Sequence, residues 1–222
     1  IIPLGISYLA SYLMREQPEV NVGILDAQVQ SLNYYQTLSK TLERNWDVIG
    51  ISYWTVQAQF ARNLTRAIKS ARPDAFVVHG GVHPTIKPDE ALDAGADCVV
   101  LNEGEITFTE LVDARRHGRP TADIAGIAFK RDGELVRTDP RPFIHDLDSI
   151  PYPAWELLPI EKYKMPLHVV GGERMPVIGS RGCPYACAFC CSPLIWKRRV
   201  RWRDPAKVVD EMEALNERYG FT

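Results

Sequence analysis

Four of the five cysteines fall between Cys183 and Cys191, in the segment Arg181-Gly182-Cys183-Pro184-Tyr185-Ala186-Cys187-Ala188-Phe189-Cys190-Cys191. The spacing of Cys183, Cys187 and Cys190 puts three thiols on one short loop, and three soft ligands on one loop suit one soft metal centre. A disulfide consumes two cysteines, not three. A structural zinc site takes a fourth ligand, usually from a second cysteine pair or a histidine pair. No histidine lies between residues 169 and 222. Cys191 adjoins Cys190 and is expected to point elsewhere. Three cysteines leave one iron of a [4Fe–4S] cluster without a protein ligand, and an open coordination position is a catalytic feature. A zinc knuckle or incidental buried thiols are the bland alternatives.

Other residues invite chemical readings that are weaker. Lys197-Arg198-Arg199-Val200-Arg201-Trp202-Arg203 is a basic run flanked by Trp196. It reads either as a contact for an anionic group or as a solvated loop before a helix. The net charge of -2 over 222 residues supplies no bulk positive field, so nucleic acid is not expected as a partner. Cys98 sits in an apolar run and reads as a buried structural thiol. Glu103 and Glu105 stand where a helix begins, a favourable place for carboxylates on its own account. His79 and His83 read as polar contacts of one loop.

These residues need elements to hold them. With 45% hydrophobic and 24% charged residues, the composition is that of a globular protein. No apolar stretch approaches the ~20 residues of a membrane-spanning helix. Helices are expected over Pro3–Glu16, from an N-cap at Ser31, over Val56–Ala71, Pro88–Ala94, Gly104–Arg116 and Pro205–Tyr219. Strands are expected over Val20–Leu25, Asp47–Ser52, Ala75–Val78 and Asp97–Leu101. Strand–helix alternation predicts an open α/β parallel sheet, whose ligands sit at the carboxyl ends of the strands. A hairpin follows around Arg131-Asp132-Gly133. After it comes a stretch with Pro140, Pro142, Pro151, Pro153, Pro159 and Pro166, apolar enough to wrap against its neighbours. Val177–Ser180 then leads as a strand into the cysteines. The chain opens on Ile1-Ile2-Pro3 and closes on Gly220-Phe221-Thr222, which reads as a segment of a longer protein. Crowded cysteines without a disulfide framework point to a reducing compartment, the cytoplasm.

The cysteine spacing after a short strand, with Phe189 just before the third cysteine, resembles the radical S-adenosylmethionine (SAM) superfamily. The resemblance implies a [4Fe–4S] cluster on Cys183, Cys187 and Cys190, SAM bound at the fourth iron, and Phe189 beside the SAM adenine. It implies reductive cleavage of SAM to a carbon radical, with flavodoxin or ferredoxin as electron donor. Pro3-Leu4-Gly5-Ile6-Ser7-Tyr8-Leu9-Ala10, His79-Gly80-Gly81-Val82-His83-Pro84-Thr85, Asn102-Glu103-Gly104-Glu105 and Leu147-Asp148-Ser149-Ile150-Pro151-Tyr152-Pro153-Ala154-Trp155 are similar, in that order, to the cobalamin-binding radical SAM class. That implies a Rossmann-like (flavodoxin-like) cobalamin domain over 1–120 and a hairpin and linker over 121–175. The start of a truncated radical SAM (β/α) barrel would cover 176–222. Cobalamin contacts are then expected from Asp26, Gln28, Ser52, Thr55, Gly80, Gly81, His83, Asn102, Glu103 and Gly104. Many cobalamin carriers coordinate cobalt through Asp-x-His-x-x-Gly. Here the motif is Asp26-Ala27-Gln28-Val29-Gln30-Ser31, so no imidazole comes from that loop.

Methylation of unactivated carbon and radical oxidation or cyclisation both fit, on a small-molecule, lipid or tetrapyrrole-like substrate. Activity is expected of the longer protein rather than of this segment. Two rivals stand beside this reading. One is a radical SAM enzyme whose first domain binds no cobalamin. The other is a non-enzymatic iron–sulfur electron carrier, disfavoured because such carriers use a fourth cysteine.

Overall fold

A computed structural model describes residues 2–163 and 175–220. Pro166, Phe221 and Thr222 lie outside these residues. The first helix, α1 (Leu4–Glu16), buries Tyr8, Ala10 and Leu13 on one face. Helix α2 (Tyr34–Leu42) follows, and its N-cap is Asn33 rather than Ser31. The Asn33 side chain accepts from the Gln36 N–H while Gln36 reaches back to the Asn33 N–H. Ser31 is instead held at a φ of 52°.

Strands β1 (Val48–Ser52), β2 (Phe76–Gly80) and β3 (Cys98–Val100) pair in parallel, with Ser52 opposite Gly80 and His79 opposite Val99. Helix α3 (Ala58–Ala71) connects the first two. The short helices α4 (Val82–Ile86) and α5 (Pro88–Asp93) connect the second and third, and α6 (Glu105–Arg116) follows. Ile68, Val77, Val99 and Leu111 are fully buried between sheet and helices. At the amino end of the strands, Asp97 accepts from the Val77 N–H at 2.7 Å and pairs with Lys69.

Two expectations change. Val20–Leu25 joins no strand ladder. One of its apolar side chains is drawn elsewhere: Ile24 packs with Ile2, Trp155 and Leu215. Alternating apolar residues make a strand only where their backbone finds an edge to pair with. The hairpin, in turn, does not stand apart in the linker. Strands β4 (Ile127–Arg131) and β5 (Glu134–Arg137) extend the same sheet, β4 lying antiparallel to β3. The sheet order is β1-β2-β3-β4-β5, mixed rather than wholly parallel. The open edge of β3 needs hydrogen-bond partners, and Ile127 and Ala128 bury themselves in supplying them.

The proline-rich stretch wraps as expected. Leu147 and Ile150 pack with Tyr8 and Ile178, while Trp155 and Leu158 pack with Ile2 and Leu215. The strand expected at Val177–Ser180 begins at Ser180. It is β6 (Ser180–Gly182), and it pairs antiparallel with β7 (Val200–Trp202) across the short helix α7 (Ser192–Trp196). Helix α8 (Pro205–Tyr219) runs as expected, capped by Asp204 through the Ala206 N–H and stopped by Gly220 at a φ of 71°. Among the described residues no helix is long and apolar enough to cross a membrane.

Gly182 closes the β6 strand at a φ of 106°, where an added Cβ would run into the Arg199 carbonyl. Gly182→Ala is expected to unseat the β6–β7 hairpin, at about 1–3 kcal/mol of backbone strain before the clash is counted. Amide hydrogen exchange should then quicken over residues 180–202 and stay slow in β1–β5. Unchanged protection in that hairpin would refute the assignment.

Candidate functional site

Three adjacent strand exits make one rim. β1 ends at Ser52 and runs on through Tyr53, Trp54 and Thr55; β2 ends at Gly80 and runs on through Gly81 to His83; beyond β3 come Asn102, Glu103 and Gly104. Cross-links tie these loops together. Thr55 meets the His83 ring at 3.2 Å, and the Thr85 hydroxyl accepts from the Asn102 N–H at 3.0 Å. Asn102 itself takes a left-handed φ of 60°. Trp54 and Val56 stand exposed on the same rim, apolar groups that the reading of polar residues overlooked. Large apolar side chains immediately after a buried strand were the available signal.

His79 lies below the rim and is wholly buried. Its Nε2 lies 2.7 Å from the Thr65 hydroxyl, which also reaches the Ala61 carbonyl, and its Nδ1 lies 2.9 Å from the Tyr53 hydroxyl. Both ring nitrogens are therefore committed to the protein. Burial pushes the imidazole down to about 4, which keeps it neutral.

Asp26 folds its own loop, accepting from the Gln28 and Val29 N–H groups with one oxygen. Its other oxygen accepts from the Tyr163 hydroxyl at 2.8 Å. Burial first, and then the Asp26 carboxylate, hold that phenol above its ordinary range. Gln28 remains exposed.

The cysteine loop hangs between β6 and α7. All five thiols are free. Cys187 is exposed; Cys183, Cys190 and Cys191 are half-buried. Cys190 Sγ accepts from the Ser192 N–H at 3.4 Å, and the Ser192 side chain first, then this backbone contact, hold its thiol below the usual range. The Cys191 carbonyl instead accepts from the Leu194 and Ile195 N–H groups of α7. Phe189 is 94% exposed and Tyr185 is exposed beside it. Among the described residues no three His, Cys, Asp or Glu side chains stand close enough to hold a metal ion. The fit of a cluster therefore rests on donor chemistry: three unpaired thiols on one loop, with no competing imidazole. Cys98 is buried in β3 as expected, its thiol pushed well up by burial and then by Asp97.

Rim and loop are joined by charge. Arg181 and Arg201 stand directly opposite each other on β6 and β7. Both reach the Glu103 carboxylate, at 3.0 and 2.8 Å, and Arg181 also pairs with Glu105 at 2.7 Å. The Ile144 N–H donates to the same Glu103 carboxylate at 2.9 Å. Arg203 pairs with Asp148 and with the wholly buried Glu211. The basic run therefore divides: Lys197, Arg198 and Arg199 are exposed, as a solvated loop would be, whereas Arg201 and Arg203 fasten the protein internally, which neither reading from sequence foresaw.

A profile of the B12 binding domain matches residues 1–112. The chain belongs to the B12-binding domain family. Among curated relatives it is 36% identical to an uncharacterised methyltransferase of Pyrococcus horikoshii, over 99% of this chain and 47% of that protein. It is 35% identical to the anaerobic magnesium-protoporphyrin IX monomethyl ester cyclase of Rubrivivax gelatinosus, over 96% of this chain and 39% of that protein. The chain thus spans less than half the length of these relatives. Its fold is similar to that of the cobalamin-dependent SAM radical enzyme OxsB with aqua-cobalamin and SAM bound, at a TM-score of 0.80 and 22% identity. That match covers 100% of this chain and 30% of OxsB. It is also similar to the radical SAM methyltransferase TsrM of Kitasatospora setae with cobalamin and a [4Fe–4S] cluster bound. There the TM-score is 0.70 at 24% identity, covering 95% of this chain and 43% of TsrM.

Within the B12-binding domain the expected contacts sort by what surrounds them. Ser52, Thr55, Gly80, His83, Asn102 and Gly104 do share the strand-exit rim. Gly81 is needed for a reason internal to the protein: at a φ of 92°, a Cβ would lie 2.8 Å from Ser52 Oγ and 3.2 Å from the Tyr53 backbone. Gly104 likewise makes room for Leu9 of α1, 3.0 Å from where its Cβ would be. Glu103 turns its carboxylate to Arg181 and Arg201 rather than to the rim.

The neutral His79 makes the stability of the domain pH-dependent. The unfolded chain takes up a proton at the ordinary histidine value of 6.5, which the folded chain refuses until about 4. Stability is complete above the first value and falls as pH drops toward the second, by up to about 3 kcal/mol. His79→Gln is expected to flatten that slope in urea unfolding measured across this window. A slope identical to that of the unsubstituted protein would exclude His79 as its source.

Proposed function

We propose that this chain carries the cobalamin-binding and cluster-bearing portion of a cobalamin-dependent radical SAM enzyme. The enzyme would act on an organic small molecule, by methylation or by radical oxidation or cyclisation. The carrying observation is the juxtaposition of a B12-binding domain over residues 1–112 with a free three-cysteine loop, fastened to its strand-exit rim through Glu103. Cys183, Cys187 and Cys190 would hold a [4Fe–4S] cluster, and Phe189, exposed beside them, would lie against the SAM adenine. The rim residues Ser52, Thr55, Gly80, His83, Asn102 and Gly104, with Asp26 and Gln28 on the neighbouring loop, would hold the lower tail of the corrin. Trp54 and Val56 offer the apolar surface that a large planar macrocycle covers.

When bound, the cluster supplies an electron to SAM and the corrin supplies a carrier for a methyl group or a redox-active cobalt. This chain's own residues bind and orient. His79, closed between Tyr53 and Thr65, stays neutral and supports the rim from beneath. With Gln28 in the loop position where many carriers place histidine, the cobalt would receive no imidazole from the protein. A tetrapyrrole-like substrate is one member of the class, in view of the cyclase relative, and flavodoxin or ferredoxin in the cytoplasm would deliver the electron.

Two expected outcomes test this on the full-length protein. Anaerobic reconstitution should yield about four irons per chain, lost on Cys183→Ala, Cys187→Ala or Cys190→Ala and kept on Cys191→Ala and Cys98→Ala. Equal loss on Cys191→Ala would overturn the ligand set. Purification with hydroxocobalamin should retain one corrin, whose cob(II)alamin resonance lacks histidine nitrogen splitting. Retention of iron but no corrin would favour an enzyme that uses the first domain without cobalamin.

A further inference from the structure

We infer that Glu103 is a positioning residue that sets where the cysteine loop stands relative to the strand-exit rim. The inference rests on the reading of rim and loop given under Proposed function. Glu103 sits on the loop that leaves β3, between Asn102 and Gly104, two residues assigned to the rim. Its carboxylate is 6% exposed and takes one arginine from each strand of the hairpin that carries the cysteines. Because Arg181 and Arg201 are cross-strand partners, one carboxylate beneath them fixes the tilt of that hairpin as well as its distance. Arg181 stands two residues before Cys183.

The surroundings leave little freedom. The Ile144 N–H donates to Glu103, and Arg201 also donates to the Ile144 carbonyl at 2.6 Å. Nε and Nη2 of Arg201 are buried without hydrogen-bond partners. The rings of Phe143 and Trp196 lie 4.9 and 5.6 Å from its guanidinium carbon. The cation is held by two π faces, one carboxylate and the Ile144 carbonyl, and among the described residues it pairs with no second carboxylate. On the rim side, the Asn102 N–H is pinned by Thr85 and the Leu101 N–H by the Gly126 carbonyl. A stiff loop thus carries the rim at one end and the anchor of the cysteine hairpin in its middle.

The experiment uses the full-length protein, reconstituted with iron, sulfide and hydroxocobalamin. Glu103→Gln keeps shape and removes charge; Arg201→Gln removes the opposite end; Glu103→Asp tests rescue. Expected for Glu103→Gln are wild-type iron and corrin contents and hydrogen exchange about tenfold faster over residues 180–202. The relaxation of the cob(II)alamin resonance by the reduced cluster should also change, since it reports their separation. Arg201→Gln should act in the same direction, and Glu103→Asp should recover part of both signals. Unchanged exchange and unchanged relaxation in both charge-removing variants would overturn the inference. So would loss of corrin from Glu103→Gln with the hairpin still protected, which would make Glu103 a corrin contact. If the unsubstituted protein holds iron but no corrin, the cobalamin reading fails by itself. The exchange rates over 180–202 then still decide whether Glu103 anchors the cysteine hairpin.

Discussion

A carboxylate placed under two arginines is expensive to bury unless every charge finds a partner, and the loop after β3 meets that condition with Glu103. Each ion gives up water on leaving solvent, a cost of several kcal/mol that only close, well-oriented partners offset. Glu103 receives Arg181, Arg201 and a backbone N–H; Arg181 has Glu105 as well; Arg201 has two aromatic faces. Much else follows from this joint. The β6–β7 hairpin has only three residues per strand and could not hold itself together in water. Those charges tie it to residues of the B12-binding domain. Arg203 repeats the device one step further on, tying the start of α8 to Asp148 of the linker and Glu211 of the helix.

The same economy governs the rim. Parallel strands β1 to β3 end together because their register puts Ser52 beside Gly80 and His79 beside Val99. Their loops must then turn within a few residues of one another. Gly81 and Asn102 take positive φ there, and small hydroxyl residues, Thr55 and Thr85, bridge between loops. A buried imidazole beneath them would be a liability if it charged. Tyr53 and Thr65 satisfy both its nitrogens, and desolvation keeps it neutral. Above it the surface is exposed, with Trp54 and Val56 as its apolar part.

Much of this was legible in the residues themselves. Helical periodicity, proline starts and glycine stops marked α1, α3, α6 and α8 to within a few residues, because those signals are local. Continuous apolar runs marked β1, β2 and β3 for the same reason. The three-cysteine spacing and Gln28, on which the proposed function draws, are local signals of the same kind. Each of these is decided by a residue and its near neighbours in the chain.

What only the tertiary structure decided are pairings between distant segments. Val20–Leu25 has the pattern of a strand, yet it joins no ladder, and Ile24 goes to the linker cluster. Arg131-Asp132-Gly133 announces a hairpin but not that its first strand will close the edge of β3. Gly81 carries no mark showing that its missing side chain makes room for Ser52 and the Tyr53 backbone. The basic run looked solvated or ligand-facing, which holds for the exposed Lys197, Arg198 and Arg199 but not for Arg201, whose carboxylate is no near neighbour in the chain. Its partner is 98 residues away. Charge pairing depends on distance in space, and a buried carboxylate selects its arginines only once the sheet has brought the rim to the hairpin.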